Sequence, residues 1–545
     1  MDCVVIGYYD QPLDEMLASM KPMASVSGGW RYLHMSSVPL NGKQVDYSTL
    51  LNSAVSAATG RPSSLHTYRL PNLAAYYLAS FLRKRGLESE VVNLLPHDMD
   101  RFVSLMETRP RTAAITTTFY FDSAPIAHLT ELIHRHSPET KVVVGGPYIF
   151  KLCSMLPPES QDDVFAEIGA DVYVNEGQGE TTLLRVCQEL QKPRPDLTTV
   201  GNLAIRTGRT FTRTSRAPEH NNIDASAMDY TLFPPDELAP ASQLRTARSC
   251  AFKCSFCSFP VIAGAHEVMS LAALERSLDH LKQTGTTHLF FIDDTFNIPL
   301  KPFRDLCRLM IDKKYGFEWV CQFRCGNAQD EDFDLLAEAG CIGVLLGIES
   351  AAPDILRHMN KGVRVDRYGQ GIAKLKERGI ITYASFIAGF PGETDATFAI
   401  TRNFIRSAQP DYYVIEPYFH DPRVPIAERS AEFALRGASY SWQHKTMNWK
   451  QAFDLAESAY KTITESTILP LQSADLWTLA YLRSAGFSME LIRGFTTIAA
   501  RMLVKSLRGE GAHNESIFRN EMVPLFRRHL GSRDDVAPYV GHHLS

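Results

Sequence analysis

Short, almost wholly apolar runs alternate with longer segments of helical periodicity in the first two hundred residues. The helical segments are of the kind seen in "PNLAAYYLASFLRKRG" (71–86), whose apolar residues recur at helical spacing up to a terminal glycine. Strands that are apolar on both faces and separated by helices predict a parallel sheet covered on both sides, as in a Rossmann-type domain. The stretch 10–66 interrupts this series without a clear pattern. The predicted strands are "CVVIGY" (3–8), "SEVVNLL" (89–95), "TAAITTTF" (112–119), "KVVVGGP" (141–147) and "DVYVN" (171–175).

A second series of six predicted strands begins near residue 243. Six β–α repeats favour a partial or full parallel barrel over an open sheet, and functional residues then gather at the carboxyl ends of the strands. After about residue 430 the strand pattern stops and helical periodicity remains. The strands are predicted at 243–250, 287–296, 318–325, 341–350, 382–391 and 411–419, with helices near 270–284, 302–314, 331–339, 366–378 and 394–408.

The chain of 545 residues is too long for one compact core. We predict an α/β protein of four parts: a Rossmann-type domain (1–207), a linker rich in proline and asparagine (208–243), a (β/α)6 partial barrel (244–430) and a helical C-terminal domain (431–545).

Composition excludes several classes of protein. Hydrophobic residues make up 45%, charged residues 21% and the net charge is −5, so a nucleic acid is not expected as a partner. Apolar runs such as "LAAYYLASFL" are too short to span a membrane. The start, "MDCVVIGYYD", is typical of a strand and not of a signal peptide. We therefore expect a cytoplasmic protein without membrane contact, whose cysteines serve metal or redox chemistry before disulfides.

Three of the ten cysteines, Cys250, Cys254 and Cys257, lie within "SCAFKCSFCSFP" (249–260). Thiolates select iron–sulfur clusters, zinc or copper. A structural zinc site needs a fourth ligand, which is missing nearby, whereas three thiolates on a four-iron cluster leave one iron open to a small molecule. Packing as small buried side chains is the alternative, and the spacing, the loop position and the flanking aromatic residues disfavour it. The other seven lie in apolar patterns typical of a core: Cys3, Cys153, Cys187, Cys307, Cys321, Cys325 and Cys341.

The CxxxCxxC pattern, with aromatic Phe256 before its last cysteine, resembles the radical S-adenosylmethionine (radical SAM) enzymes. The resemblance implies a four-iron four-sulfur cluster whose open iron chelates S-adenosylmethionine, and an external one-electron donor such as flavodoxin or ferredoxin. A zwitterionic ligand needs an acid for its ammonium and a base for its carboxylate. A helix cap at Asp294 and strand-end ion pairs at Arg324 and Glu349 are the ordinary alternatives. The implied S-adenosylmethionine residues are Phe256, Asp293 and Asp294 in "FIDDTF", Arg324, Glu349 and Ser350 in "GIES", and Gly389 in "IAGFPGET".

A Rossmann-type domain ahead of such a barrel resembles the cobalamin-binding subclass of that family. Glycines at strand ends would let the backbone approach a corrin, although tight turns use them too. A nicotinamide cofactor is excluded because no GxGxxG follows the first strand. The chain has no DxHxxG, so cobalamin is expected base-off, without a histidine ligand. The implied cobalamin residues are Pro71, Thr116, Thr117, Thr118, Phe119, Tyr120, Gly145, Gly146, Pro147, Tyr148, Glu176 and Gly177.

The N-terminal segments "DCVVIGYYD" (2–10), "SGGWRYLHMSSVPLNGKQVDYSTLLN" (27–52) and "ITTTFYFDSAPIAHLTELI" (115–133) resemble the phosphinate P-methyltransferases of phosphinothricin and bialaphos biosynthesis. This likeness implies transfer of methyl from S-adenosylmethionine, through methylcobalamin, to phosphorus of a P–H phosphinate. An anionic substrate of that kind needs basic groups at the barrel mouth. The candidates, which the sequence does not rank, are Arg357, Lys361, His420 and Arg423.

Three alternatives stay open at this stage. The methyl acceptor can be carbon, as in other natural-product pathways. The enzyme can cyclise or rearrange its substrate without transferring methyl. Finally, the chain can be a cobalamin-binding sensor with a degenerate barrel, which the intact cysteine triplet argues against.

Overall fold

The computed structural model describes residues 1–469 and 474–530. The chain forms two compact units. The first comprises Met1–Gln11, Tyr68–Ser249 and Phe259–Gly285, and the second comprises Pro12–Thr67, Cys250–Ser258 and Thr286–Ser545. The segment without a clear sequence pattern therefore belongs to the second unit. The domain limits given above remain predictions.

The strands of both units are short, and most carry apolar residues. In chain order they are β1 Cys3–Tyr8, β2 Val38–Leu40, β3 Lys43–Val45, β4 Ser89–Leu94, β5 Thr112–Thr116, β6 Lys141–Gly145, β7 Val172–Val174, β8 Leu203–Thr207, β9 Thr210–Arg213, β10 Ala241–Leu244, β11 Ala247–Arg248, β12 Glu267–Val268, β13 His288–Phe291, β14 Glu318–Gln322, β15 Cys341–Glu349, β16 Ile381–Ala388, β17 Tyr412–Pro417, β18 Arg436–Ala438, β19 Ser441–His444, β20 Met447–Asn448 and β21 Thr467–Ile468.

The α-helices follow most strands, as the alternation in the sequence predicts. In chain order they are α1 Leu13–Met20, α2 Gly29–Met35, α3 Tyr47–Thr59, α4 Leu73–Arg83, α5 Met99–Glu107, α6 Ala124–His136, α7 Pro147–Met155, α8 Pro158–Ile168, α9 Glu180–Leu190, α10 Pro235–Leu238, α11 Phe259–Ala263, α12 Leu271–Gln283, α13 Leu300–Asp312, α14 Asp330–Glu338, α15 Pro353–His358, α16 Val365–Glu377, α17 Asp395–Ala408, α18 Ser430–Phe433, α19 Trp449–Thr462, α20 Leu476–Ser484, α21 Met489–Leu507, α22 Asn514–Ile517 and α23 Val523–Leu530.

The first unit contains a seven-stranded sheet in the order β4-β1-β5-β6-β7-β8-β9. Its first five strands are parallel, which confirms the predicted sheet, and β8 and β9 extend it as an antiparallel hairpin. Val4, Ile6, Ile115 and Val144 lie in the core cluster beneath α5, α6 and α8. The crossover order at β1 and β5 brings the carboxyl ends of β1, β5 and β6 to one sheet edge, where an open sheet binds ligands.

The second unit contains parallel strands in the order β13-β14-β15-β16-β17-β21. The five strands predicted from residue 287 onward begin within one residue of β13–β17 but run too far at their carboxyl ends; β13, for example, ends at Phe291 and not at residue 296. The short strand β21 was not predicted. The prediction ran to Phe296 because this apolar residue is buried, although Asp293, Asp294 and Thr295 stand before it and the backbone has already left the sheet.

The prediction of a single strand over 243–250 is wrong. Two short strands, β10 and β11, occupy this stretch, and β11 pairs antiparallel with β12. Arg245 lies in the break between them, with its guanidinium 4.9 Å from the ring centre of Tyr77.

The region after residue 430 is not wholly helical, contrary to the prediction. A three-stranded antiparallel sheet, β18-β19-β20, precedes α19. Trp442 and His444 are buried and flank exposed Gln443, which is the period-two alternation of a strand. The segment 12–67 packs on this region: Arg31 forms ion pairs of 2.7 Å with both Asp454 and Glu457.

None of the helices in residues 1–469 and 474–530 is both long enough and apolar enough to cross a membrane.

Candidate active site

The cysteine loop belongs to the second unit and is anchored by hydrogen bonds to the end of α15. Ser255 is buried; its hydroxyl donates to the His358 carbonyl (2.7 Å) and its amide to the Met359 carbonyl (2.9 Å). Asn360 donates its side-chain amide to the Lys253 carbonyl (2.8 Å). These bonds fix the loop backbone and leave the three cysteine side chains to other partners.

The three cysteines of the loop are free thiols. Cys254 is buried, while Cys250 and Cys257 are half-buried, and the Cys250 sulfur lies 3.6 Å from the Thr295 hydroxyl. Within residues 1–469 and 474–530, no three His, Cys, Asp or Glu side chains lie close enough together to hold a single metal ion. A four-iron cluster places its thiolates on separate irons, farther apart than the ligands of one ion. Three thiols on one anchored loop match in number the ligands of a four-iron cluster with one open iron, and cluster binding by these cysteines stays a prediction.

Arg324 follows β14 and is buried, with 7% of its surface exposed. Its guanidinium donates to the Lys361 carbonyl and lies 3.6 Å from the ring centre of Phe252 in the cysteine loop. Its Nε–H is buried without a hydrogen-bond partner. A buried guanidinium with a donor to spare is suited to receive a carboxylate. The contact with Phe252 places Arg324, which was predicted to bind a carboxylate, beside the cysteine loop.

Glu349 ends β15 and forms a buried ion pair with Lys361, whose Nζ lies 3.0 Å from the carboxylate. Its backbone has φ +68°, a conformation that favours glycine. The Lys361 ammonium also lies 5.4 Å from the ring centre of Phe256. Phe256, Arg324 and Glu349 are therefore joined through Lys361 into one network.

The acids after β13 differ in exposure. Asp293 is buried, whereas Asp294 keeps accessible surface. Burial, together with the neighbouring charge of Asp293, raises the pKa of Asp294 to about 7. Two adjacent carboxyls in an enclosed place are stabilised by a cation. Contact of this pair with an ammonium group stays a prediction.

The two remaining residues predicted for S-adenosylmethionine make internal contacts. Ser350 is fully buried, and its hydroxyl accepts a hydrogen bond from the Ala352 amide (3.1 Å). Gly389 has φ +89°, and a Cβ there would lie 2.5 Å from the Ala452 Cβ. Its amide donates to Glu393 (2.5 Å). The glycine is required by packing at this position, and a role at the ligand stays a prediction for both residues.

Threonine hydroxyls hold the strand ends of the first unit together. Thr116 donates to the Gly7 carbonyl (3.1 Å) and Thr117 to the Gly145 carbonyl (2.8 Å). The Thr117 hydroxyl also accepts from the Tyr148 amide (3.2 Å). Gly146 has φ +107°, and a Cβ there would lie 2.9 Å from the Thr117 hydroxyl. The predicted residues of β5 and β6 thus come together as one hydrogen-bonded edge, in which Gly145 and half-buried Pro147 also lie.

Aromatic side chains cover part of this edge. The ring centre of Tyr8 lies 4.2 Å from that of Tyr68, 5.8 Å from that of Phe119 and 5.7 Å from that of Tyr120. In the following loop Thr118 is exposed, and Phe121 is 94% exposed. The loop thus presents an exposed apolar ring beside an aromatic cluster, and its contact with cobalamin stays a prediction. Tyr8 and Tyr68 were not predicted, although "GYYD" at the first strand end is an aromatic signal.

The remaining residues predicted for cobalamin are placed in the same unit. Pro71 is buried ahead of α4. Glu176 is buried, and its carboxylate lies 3.4 Å from the Arg216 guanidinium. A Cβ on Gly177 would lie 2.6 Å from the Ile262 carbonyl oxygen, so this glycine serves a close backbone approach. Cobalamin contact by these residues stays a prediction.

Of the four basic residues suggested for an anionic substrate, only Lys361 belongs to the strand-end network. Arg357 is exposed and pairs with Asp354, and Arg423 pairs with Asp421 through Nε at 2.9 Å. His420 is buried, and its Nδ1 lies 3.1 Å from the Tyr418 hydroxyl.

Glu416, near the end of β17, is a further acid at this edge that was not predicted. The Tyr32 hydroxyl donates a hydrogen bond to it, and burial raises the pKa of Glu416 to about 7. An acid inside the otherwise uncharged run "YYVIEPYF" (412–419) was the available signal. Nothing in the sequence pairs it with Tyr32, which is far away along the chain.

Residues 244–405 match the family model described as Radical SAM superfamily. This part of the chain is a radical SAM domain, and the chain is an enzyme. A four-iron four-sulfur cluster and S-adenosylmethionine belong to such a domain, and the free thiols of the cysteine loop fit that cluster. The sensor alternative is therefore dropped.

Two curated proteins are similar to parts of the chain. An uncharacterized methyltransferase of Pyrococcus horikoshii is 26% identical over 355 residues, which are 63% of this chain and 74% of that protein. The anaerobic magnesium-protoporphyrin IX monomethyl ester cyclase of Rubrivivax gelatinosus is 32% identical over 168 residues, which are 30% of each protein.

Two solved structures share the fold. The radical S-adenosylmethionine methyltransferase TsrM of Kitasatospora setae matches with a TM-score of 0.54 at 19% identity, over 68% of this chain and 73% of that chain. The cobalamin-dependent S-adenosylmethionine radical enzyme OxsB matches with a TM-score of 0.58 at 12% identity, over 84% and 81%. At these identities the likeness concerns the fold alone.

Proposed function

We propose that this radical SAM enzyme is a cobalamin-dependent methyltransferase that methylates phosphorus of a P–H phosphinate amino acid. The observation that carries the class is the network of Arg324, Lys361, Glu349 and Phe256 beside the anchored cysteine loop. The likeness to a methyltransferase supports methyl as the transferred group. The likeness in fold to two enzymes with bound cobalamin supports cobalamin as the second cofactor. The choice of phosphorus rests on the N-terminal segments described above.

The residues of the second unit hold and orient S-adenosylmethionine in this proposal. Cys250, Cys254 and Cys257 hold the cluster. Arg324, with its spare Nε–H, receives the carboxylate of the methionine moiety. Asp293 and Asp294 receive its ammonium, and that contact favours ionisation of Asp294, whose pKa of about 7 is raised by burial. Glu349, held by Lys361, accepts hydrogen bonds from the ribose.

The first unit holds cobalamin in this proposal. The edge formed by Thr117, Gly146 and Tyr148 lies beside the aromatic cluster of Tyr8, Tyr68 and Phe119. The exposed ring of Phe121 would offer the macrocycle an apolar contact. When bound, the cluster and cobalamin supply electron transfer and methyl transfer, respectively.

The reaction consumes two molecules of S-adenosylmethionine and two electrons from an external donor for each methylated product. One molecule takes the hydrogen atom from phosphorus and leaves as 5′-deoxyadenosine and methionine. The other gives its methyl group, which ends on phosphorus, and leaves as S-adenosylhomocysteine. The chain's own part is to position both reactants and to exclude water.

The test is anaerobic turnover of an N-acetylated P–H phosphinate analogue of glutamate with a chemical or flavodoxin reductant. We expect one methyl on phosphorus by mass spectrometry and phosphorus NMR, with one equivalent each of S-adenosylhomocysteine and 5′-deoxyadenosine. Deuterium placed on phosphorus should appear in 5′-deoxyadenosine, with solvent exchange measured in parallel. Methylation of a C–H substrate but of no P–H phosphinate would retain the class and reject this substrate.

A non-methylating reaction is the second candidate, because the Rubrivivax cyclase is 32% identical over its matched part. The same incubation separates the two candidates. Methyl transfer yields S-adenosylhomocysteine and 5′-deoxyadenosine together, whereas cyclisation or rearrangement yields 5′-deoxyadenosine without S-adenosylhomocysteine.

A further inference from the structure

Accessible and buried positions alternate along the barrel strands near their carboxyl ends. In β15 Leu345 and Gly347 are partly accessible while Leu346 and Ile348 are buried, and β16 repeats this at Ser385 and Ile387. Alternate residues of a strand share one face. This face therefore borders space that solvent can reach inside the second unit.

Glu416 lies on the strand beside this face, at the same level. It is the register partner of Ile387 in the pairing of β16 with β17, and it keeps accessible surface. A Cβ on Gly347 would lie 2.7 Å from a carboxylate oxygen of Glu349, so that acid borders the same face. Glu416 is thus an acid at the catalytic edge of the barrel, outside the set proposed for S-adenosylmethionine.

Glu416 and Glu349 differ in their partners. Glu349 is neutralised by Lys361 at 3.0 Å. For Glu416, the described part of the chain supplies no cation, and the hydrogen bond it receives comes from the Tyr32 hydroxyl. A carboxylate has about four acceptor positions, so most of those on Glu416 remain to be filled. A group that brings N–H donors would fill them.

Tyr32 is held in place by its own packing. Its ring stacks on that of Tyr440 with centres 5.3 Å apart, and Tyr440 in turn packs edge-on against Phe419 at 5.2 Å. The amide of Gly28, one turn earlier, donates to the Tyr440 carbonyl (2.9 Å). The segment 12–67 thereby brings a phenol to a barrel acid of the same unit.

We propose that Glu416, oriented by Tyr32, binds the nitrogen of the methyl acceptor, either as a free ammonium group or as an acylated N–H. This inference rests on the proposed function and names a specificity residue for it. It also assigns a role to the segment 12–67, which supplies Tyr32. The acceptor's anionic groups are left to other residues, because two carboxyls border this space and would repel them.

The test compares Glu416→Gln and Glu416→Leu with two acceptors, one carrying a free amine and the other N-acetylated. Glutamine keeps a carbonyl acceptor but loses the charge, and leucine loses both. For an ammonium, both variants should raise KM about ten- to a hundredfold, because hydrogen bonds to charged groups are the strong ones. For an acylated N–H, glutamine should change KM less than about threefold and leucine about tenfold. Either pattern supports the proposal.

Three controls keep this test decisive. Iron content and S-adenosylmethionine affinity should match the wild type in both variants, which shows that they fold and that Glu416 does not serve that ligand. Tyr32→Phe keeps the ring stack and removes the phenol, and should raise KM about threefold with kcat little changed. Glu432→Gln, at an exposed surface pair, should leave KM within twofold.

The outcomes are distinguishable from failure of the proposed function. If wild-type enzyme methylates no acceptor, the proposed function fails before any variant is compared. If wild-type enzyme methylates an acceptor but Glu416→Leu leaves its KM unchanged, this inference alone is overturned. A loss of S-adenosylmethionine affinity in place of a rise in acceptor KM would overturn it as well.

Discussion

The strand ends of the two units are built from different chemistry. In the first unit neutral groups hold the edge: Thr116 and Thr117 donate to strand carbonyls, and aromatic rings cover them. In the second unit the corresponding edge carries charges, among them the buried pair of Glu349 and Lys361 and the guanidinium of Arg324. Both edges lie at the carboxyl ends of parallel strands, so fold alone does not explain the difference.

The difference follows from what each edge is proposed to hold. A corrin is large and flat, and is bound mainly by contact area and by backbone approach, which neutral groups provide without a desolvation penalty. S-adenosylmethionine is a small ligand with an ammonium, a carboxylate and a sulfonium, and it needs charged partners of fixed geometry. The first edge should therefore be sensitive to shape and the second to charge.

The largest effect should come from the cysteine loop. Replacing Cys250, Cys254 and Cys257 by alanine removes all three thiolates, so the variant should lose its iron and form no 5′-deoxyadenosine. Cobalamin binding, assigned to the other unit, should persist in absorbance measurements after gel filtration. Cys153→Ala, at a half-buried cysteine of the first unit, is the matched control and should keep its iron. Reductive cleavage of S-adenosylmethionine by the triple variant would contradict the site.

Charge geometry at the second edge is tested by Arg324→Lys. Lysine keeps the positive charge but lacks the planar fork whose Nε–H is free, so S-adenosylmethionine affinity should fall about ten- to a hundredfold by anaerobic equilibrium dialysis. The exposed pair at Arg364 provides the control, and Arg364→Lys should stay within twofold. Equal affinity in wild type and Arg324→Lys would remove the guanidinium from the site.

Periodicity predicted the parallel strands of both units and most of their helices, because burial on both faces leaves a continuous apolar run. It failed where strands are very short. Two strands of four and two residues, β10 and β11, replace the predicted strand over 243–250, and β18–β20 are too short to stand out from their surroundings. The cysteine loop was visible from spacing alone. The contact of Tyr32 with Glu416 was not, because it joins segments nearly four hundred residues apart.

Shape at the first edge is tested by Gly146→Ala. The position has φ +107°, and the new Cβ would lie 2.9 Å from the Thr117 hydroxyl, so the edge must distort at a cost of about 1–3 kcal/mol. Cobalamin retention should fall, while 5′-deoxyadenosine formation by the second unit continues. Gly208→Ala is the control for backbone strain without a steric clash, because Gly208 has φ +69° and an added Cβ would meet no atom within 4 Å. This variant should retain cobalamin. Full retention by Gly146→Ala would show that this edge is not sensitive to shape.

The last contrast concerns how each unit holds a backbone turn. In the first unit the Thr117 hydroxyl does so, and in the second the fully buried Glu393 carboxyl accepts from the Gly389 amide. Burial raises the pKa of Glu393 from 4.5 to about 8. The folded chain therefore keeps a proton that the unfolded chain releases, and stability contributed by this group falls as pH rises from about 4.5 to 8.

Glu393→Gln should remove that slope, because glutamine can accept the same hydrogen bond without a proton to lose. Between pH 5 and 8 the free energy of unfolding of the wild type should fall by about 4 kcal/mol relative to that of the variant, at 1.36 kcal/mol per pKa unit. The thermal midpoint of the variant should therefore rise relative to that of the wild type as pH rises. Thr117→Val should instead lower the midpoint equally at every pH, since its hydroxyl does not titrate in this range. If the thermal midpoints of wild type and Glu393→Gln change in parallel with pH, the Glu393 carboxyl is ionised in the folded chain. The contrast between the neutral edge of the first unit and the titrating edge of the second would then rest on Asp294 and Glu416.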